Sequence, residues 1–187
     1  SHDNHYHRDN GVSTEERFLE AYWYKGQTQS FSGVGAKHQN SEAERAIQTI
    51  MYMAWSFMVH ASLHWIDWGS DDILLWPFAV KHAVLVWLYN HVPNRLSDLT
   101  PLELLTKSKA DHRDLLCTHV WGCLAIVVEP QLQNDQKLPT WNWHACIGQF
   151  LGYSDEHLFL VVNVCHLSTN YISPQFHVVF DDLFETV

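Results

Sequence analysis

Gly33-Val34-Gly35-Ala36-Lys37-His38-Gln39-Asn40-Ser41-Glu42-Ala43-Glu44-Arg45-Ala46-Ile47 is the stretch on which the fold turns. Its first half, with Gly33 and Gly35, reads as a mobile loop from Ser32 to Asn40. Its second half opens the longest helix. Ile47, Ile50, Met51, Ala54, Met58 and Ala61 keep a 3.6-residue period, which predicts a helix from Ser41 to about His60 whose apolar stripe must pack on something. Ser41-Glu42-Ala43-Glu44 also has the pattern of a capping box, in which Glu44 would bond the Ser41 backbone N–H.

Toward the N-terminus, His5 to Arg8 reads as a strand end and Asp9-Asn10-Gly11 as a tight turn. Ser13 and Glu16 fit another capping box, opening a helix that shows Phe18 and Tyr22 on one face and stops at Gly26. Gln27 to Phe31 is a second short strand. Asp9 thus ends a strand and Glu44 lies in the first turn of a helix, 35 positions on. Carboxylates brought from two elements can meet on one Mg²⁺, which takes hard oxygen donors and keeps several waters. Taken alone, the same residues are also a turn aspartate and a capping glutamate.

Toward the C-terminus, Pro77 is placed to begin a helix to about Tyr89, with Val80, Ala83, Val84 and Trp87 on its buried side. Trp65, Trp68, Trp76 and Trp87 fall among apolar helix positions, so a packing role is expected of them. Thr100-Pro101-Leu102-Glu103 is a capping box for a short helix through Thr106. Beyond Lys107-Ser108-Lys109-Ala110 the texture becomes short β-type runs at Cys123 to Glu129, Ile147 to Tyr153, Leu158 to Val164 and Gln175 to Asp181. Two domains are expected, residues 1–112 and 113–187.

Eleven Lys and Arg against 21 Asp and Glu give a net charge of −10 with histidines neutral, the wrong sign for binding DNA through bulk electrostatics. A nucleic-acid role must therefore rest on a local patch or on metal ions. Cys117, Cys123, Cys146 and Cys165 form no CxxC pair and are expected to be reduced thiols. No apolar run reaches the roughly 20 residues of a membrane span, so no membrane association is expected. His2, His5 and His7 cluster near Asp9 but complete no tetrahedral set, and read as solvated or packed.

The run from Gly33 to Asn40 leading into Ala43-Glu44-Arg45-Ala46-Ile47 closely resembles the segment around the glutamate of copia-type retrotransposon integrases, and Asp9-Asn10-Gly11 resembles the same family's second aspartate. His119-Val120-Trp121-Gly122-Cys123, Gly148 to Ser154 and Phe176 to Asp182 look like the small SH3-like barrel that follows the integrase core in such polyproteins. The resemblance implies an α/β RNase H-like core, present as its C-terminal half, followed by an all-β SH3-like barrel. It implies DNA integration by strand transfer through a D,D-35-E site, with Asp9 and Glu44 as catalytic and metal-binding residues for two Mg²⁺ or Mn²⁺ ions. Lys37, His38, Gln39, Asn40 and Arg45 would contact DNA, whether element ends or target. It further implies an oligomer in the intact integrase, a nuclear or retroelement-particle location, and no small-molecule cofactor. The first aspartate of the triad has no match among these residues, so the isolated chain is expected to be inactive. Arginines usual in the family are replaced by Trp55 and, near Trp141 to Cys146, by Trp143, His144 and Cys146, which fits an ageing element copy.

Overall fold

The computed structural model describes residues 5–8, 16–31, 41–65, 70–90, 99–129, 132, 137–142, 144–157 and 160–186. The chain forms two compact units, Ser1–Thr49 and Ile50–Val187. One long helix runs through that boundary, and position 112 lies inside the second unit.

In the first unit, strand β1 (His5–Arg8) pairs in parallel with β2 (Thr28–Phe31), from His5 opposite Thr28 to Arg8 opposite Phe31. Parallel neighbours need a crossover, and helix α1 (Glu16–Tyr24) supplies it, so the three elements make a βαβ unit. Gly26 follows α1 at φ 64°, a left-handed conformation that costs glycine little.

Helix α2 spans Ser41–His64, one turn longer than its periodicity predicts. The extra turn exists because Ala61 is fully buried and Trp65, just past the helix, donates its Nε1–H to the Gly122 carbonyl at 2.8 Å. Ala54, Met58 and Ala61 are the buried positions, whereas Ile47 and Met51 from the expected stripe are exposed.

A 3₁₀ turn (Ser70–Leu75) leads into α3 (Trp76–Asn90), which buries Ala79, His82 and Ala83. Of the expected buried side Ala83 is buried, while Val80, Val84 and Trp87 are half-buried, the helix turning Ala79 and His82 inward beside Ala83. Ile73–Asn90 is 18 residues long at a mean hydropathy of 1.3, so by length and composition this stretch meets the requirement for a membrane span that no run was expected to meet.

Helix α4 (Pro101–Thr106) forms its predicted capping box: the Glu103 N–H donates to Thr100 Oγ1 at 3.3 Å and the Thr100 N–H donates to Glu103 Oε2 at 2.9 Å. Glu103 Oε1 also accepts from the Ala110 N–H at 3.1 Å, and these backbone donors hold the Glu103 carboxyl below its ordinary range. A single turn, α5 (Arg113–Leu116), precedes the sheet.

Five antiparallel strands follow: β3 (Leu124–Val128), β4 (Ala145–Tyr153), β5 (Val162–His166), β6 (Ile172–Gln175) and β7 (Val178–Asp181). Their order across the sheet is β6-β5-β4-β3-β7. The run expected as one strand from Gln175 to Asp181 is thus two, broken at Phe176 and His177; of the run expected from Leu158 to Val164, residues 158 and 159 lie outside the described residues and Val162 to Val164 are in β5. Just before β5 the Ser154 N–H closes the β4–β5 connection on the Val161 carbonyl at 2.9 Å.

The order has a geometric consequence. In a flat five-stranded sheet the outer strands lie about 19 Å apart. Gln175 and Val178 end opposite outer strands, yet three Cα–Cα steps can cover only about 11 Å. The sheet therefore curls until its edges approach each other.

Curling gives the sheet two cores. Inside lie Cys123, Ala125, Val127, Phe150, Val162, Val164 and Phe184. On the outside, Trp121, Leu151 and Cys165 pack with Ala54, Met58 and Ala61 of α2 and Ala79 and Ala83 of α3. Strand β4 serves both because successive side chains point to opposite faces, Phe150 to the inside and Leu151 to the outside, just where its register slips between Phe150 and Gly152.

The contact between α2 and the turn before β3 requires Gly122. Its φ is 78°, and a Cβ there would sit 2.5 Å from the Ala61 Cβ. We expect Gly122→Ala to destabilise the second unit by about 2–4 kcal/mol, combining left-handed strain with overpacking. In urea denaturation the double variant Gly122→Ala/Ala61→Gly should recover the overpacking part alone. A single variant within 0.5 kcal/mol or so of wild type would contradict this packing.

Candidate functional site

Glu44 and Arg45 lie in the first two turns of α2, both exposed, with Glu42 beside them. Helix starts favour carboxylates because the first N–H groups carry the positive end of the helix dipole. Among the described residues Glu44 makes no hydrogen bond or ion pair, in contrast to Glu103, whose two carboxylate oxygens both accept backbone N–H groups. Asp9, Lys37, His38, Gln39 and Asn40 lie outside the described residues. Arg8, which immediately precedes Asp9, ends the parallel strand β1.

His5 is engaged through both ring nitrogens, Nδ1 with Thr28 Oγ1 at 3.0 Å and Nε2 with Ser30 Oγ at 2.9 Å, so neither nitrogen is spare for a metal. Among the described residues no three His, Cys, Asp or Glu side chains gather as a metal site.

The second unit holds titratable groups that periodicity could not reveal. Asp182 accepts from the His119 ring Nδ1 at 2.9 Å and from the Val120 N–H at 2.7 Å, while the His119 ring stacks on Phe180 at 3.6 Å. Burial pushes the Asp182 carboxyl up, but these donors, the His119 charge and the Cys123 thiol outweigh it, and the net shift is downward. Cys123 joins this group, giving the cysteine, histidine and aspartate of a nucleophilic triad in composition. Its chemistry is different: Cys123 is fully buried, and burial followed by the Asp182 charge drives its thiol far up, so it stays protonated and inert. The group is an anchor that ties the turn before β3 to the end of β7.

Cys146 donates to Glu129 Oε2 at 2.6 Å, and burial with that bond pushes its thiol up to about 11. All four cysteines are free thiols.

Among the described residues His82 is the one histidine sealed in the core. It is 4% exposed, meets Phe57 and Phe150 edge-on, and its Nδ1 finds no hydrogen-bond partner among the described residues. Burial first, and the charge of His119 second, lower its pKa to about 4. Beside it a cleft of about 310 Å³ runs between α3 and β4, lined by Phe78, Leu85, Leu88 and Tyr153, with the Lys81–Asp155 ion pair at its edge. Gly152, at φ 116°, leaves the wall next to His82 open, a Cβ there lying 3.9 Å from His82 Nδ1.

Comparison of the chain with family models gave no match, and comparison with curated proteins likewise gave none.

Proposed function

We propose that this chain is part of a copia-type retrotransposon integrase, a D,D-35-E polynucleotidyl transferase whose RNase H-like core is represented here by its second half and whose following sheet is an SH3-like barrel. The observation that carries the proposal is a parallel βαβ unit followed by a long helix bearing an exposed glutamate in its first turn, 35 residues after an aspartate adjoining the first strand. The curled five-stranded sheet supports the barrel reading.

Strand transfer needs an oxygen nucleophile activated and the charge at phosphorus neutralised, and two Mg²⁺ or Mn²⁺ ions supply both when bound. In this reading Asp9 and Glu44 hold them. The exposed Glu44 carboxylate, with no competing partner among the described residues, fits a hard-cation ligand. Arg45, one residue on and likewise exposed, would position DNA phosphate, as would Lys37, His38, Gln39 and Asn40. Three carboxylates serve the family's chemistry and this chain matches two, so the isolated chain is expected not to join DNA.

The test is metal-dependent joining of element-end DNA by the chain extended upstream through a strand carrying the further aspartate. Joining should occur and should be lost in Glu44→Gln and in Asp9→Asn. Joining that survives Glu44→Gln sinks the assignment. A second reading, a non-catalytic interaction module derived from a retroelement, is favoured by the net charge of −10, and inactivity of every extended form would support it.

A further inference from the structure

The outward side of α2 is apolar. Met51, Trp55, Val59 and Leu63 recur every fourth residue, with Tyr52 beside them, and Trp55 is 62% and Leu63 78% exposed. The opposite side, Ala54, Met58 and Ala61, is already buried against the sheet. A helix apolar on both sides belongs in an interior. No Asp, Glu, Lys or Arg occurs from Ala46 to His64.

That absence of charge narrows what can cover the ridge. A membrane-surface helix carries Lys and Arg on its polar flank, and a nucleic-acid surface needs cations; this segment has neither. A protein surface remains. Two copies of a chain with net charge −10 repel, and any charged group close to a two-fold axis meets its own like, so a self-contact needs a patch free of charge. The ridge is such a patch. Residues spaced by four form the ridge that interdigitates with an identical ridge when two helices cross at about −50°. The five side chains expose roughly 600 Å² per copy, or about 1,200 Å² for a symmetric pair, the lower limit of a standard specific interface.

We infer that the outward ridge of α2, centred on Trp55 and Val59, is a self-association surface on which a second copy of this chain docks its own α2 about a two-fold axis. The inference does not depend on the integrase reading, since it concerns residues 51 to 63 and needs neither metal nor DNA.

Sedimentation equilibrium of the full chain tests it. A reversible monomer–dimer equilibrium is expected, with a dissociation constant on the order of 10 µM given the small area. The exposed-site variant Trp55→Glu should weaken it at least tenfold while leaving the far-ultraviolet circular dichroism unchanged. If that variant loses helical signal, Leu63→Ser, at the most exposed ridge position, takes its place and should weaken the dimer in the same direction. A wild-type chain that stays monomeric to about 100 µM, open-ended aggregation in place of a closed dimer, or a dimer untouched by these substitutions would each overturn the inference.

Discussion

Trp121→Ala is expected to destabilise the second unit by about 3–5 kcal/mol, the largest loss of any single truncation in this fold. Trp121 is 1% exposed, sits where α2, α3 and the outer face of the sheet meet, and donates its Nε1–H to the Leu151 carbonyl at 3.2 Å. Truncation removes the packed indole, leaves a cavity that three elements cannot jointly collapse, and takes away a donor from a buried carbonyl. Since domains of this size hold only about 5–15 kcal/mol in total, the variant should populate unfolded chain near physiological temperature. Trp121→Phe separates the contributions: it retains most of the apolar area and should lose about 1–2 kcal/mol, largely for the missing donor. Urea midpoints of the two variants provide the comparison, and near-equal losses would mean that the hydrogen bond, not the packing, dominates.

Acid should weaken the same unit through His82. Its pKa is about 4 in the folded protein against 6.5 for an ordinary histidine, so the unfolded chain binds the proton more readily. Stability is therefore complete above the unfolded value and declines as pH falls from 6.5 toward about 4. By pH 4.5 the loss should be about 2–3 kcal/mol. The carboxyls held low in the fold, Glu103, Asp111, Asp181 and Asp182, contribute in the same direction at the acidic end, where they take up protons. His82→Leu, which keeps an apolar side chain in the site, should flatten the upper part of that decline. Urea unfolding of wild type and variant across this range decides it, and parallel curves would remove His82 from the explanation.

Several elements were legible because a local rule sufficed. The Thr100 to Glu103 box needs only its two side chains at the right spacing, and the β-type alternation of Cys123 to Glu129 anticipates β3 to within a residue at each end. The inner side of α3 was legible only at Ala83. Almost every position from Val80 to Leu88 is apolar or aromatic, so periodicity carries little direction there, and what completes the inner side is the small Ala79 together with a histidine that composition counts as polar. The break at Phe176 and His177 was hidden for a different reason: both residues suit a strand, and it is closure of the sheet, a long-range requirement, that bends the chain there. At the candidate site, the position of Glu44 in the first turn of a long helix follows from the pattern. The His119–Asp182 anchor joins residues 63 apart and has no local signature.

The two-faced burial of β4 has one more implication, for how residues 50 to 187 melt. Phe150 fills the inside of the curled sheet while its neighbour Leu151 lies under the helices, so a single peptide unit couples the two cores. Neither can loosen without tugging the other's keystone out of place. Residues 50 to 187 should consequently unfold in one cooperative step, and severing the helices from the strands near residue 112 would strip the outer cover from the sheet rather than release two self-sufficient halves.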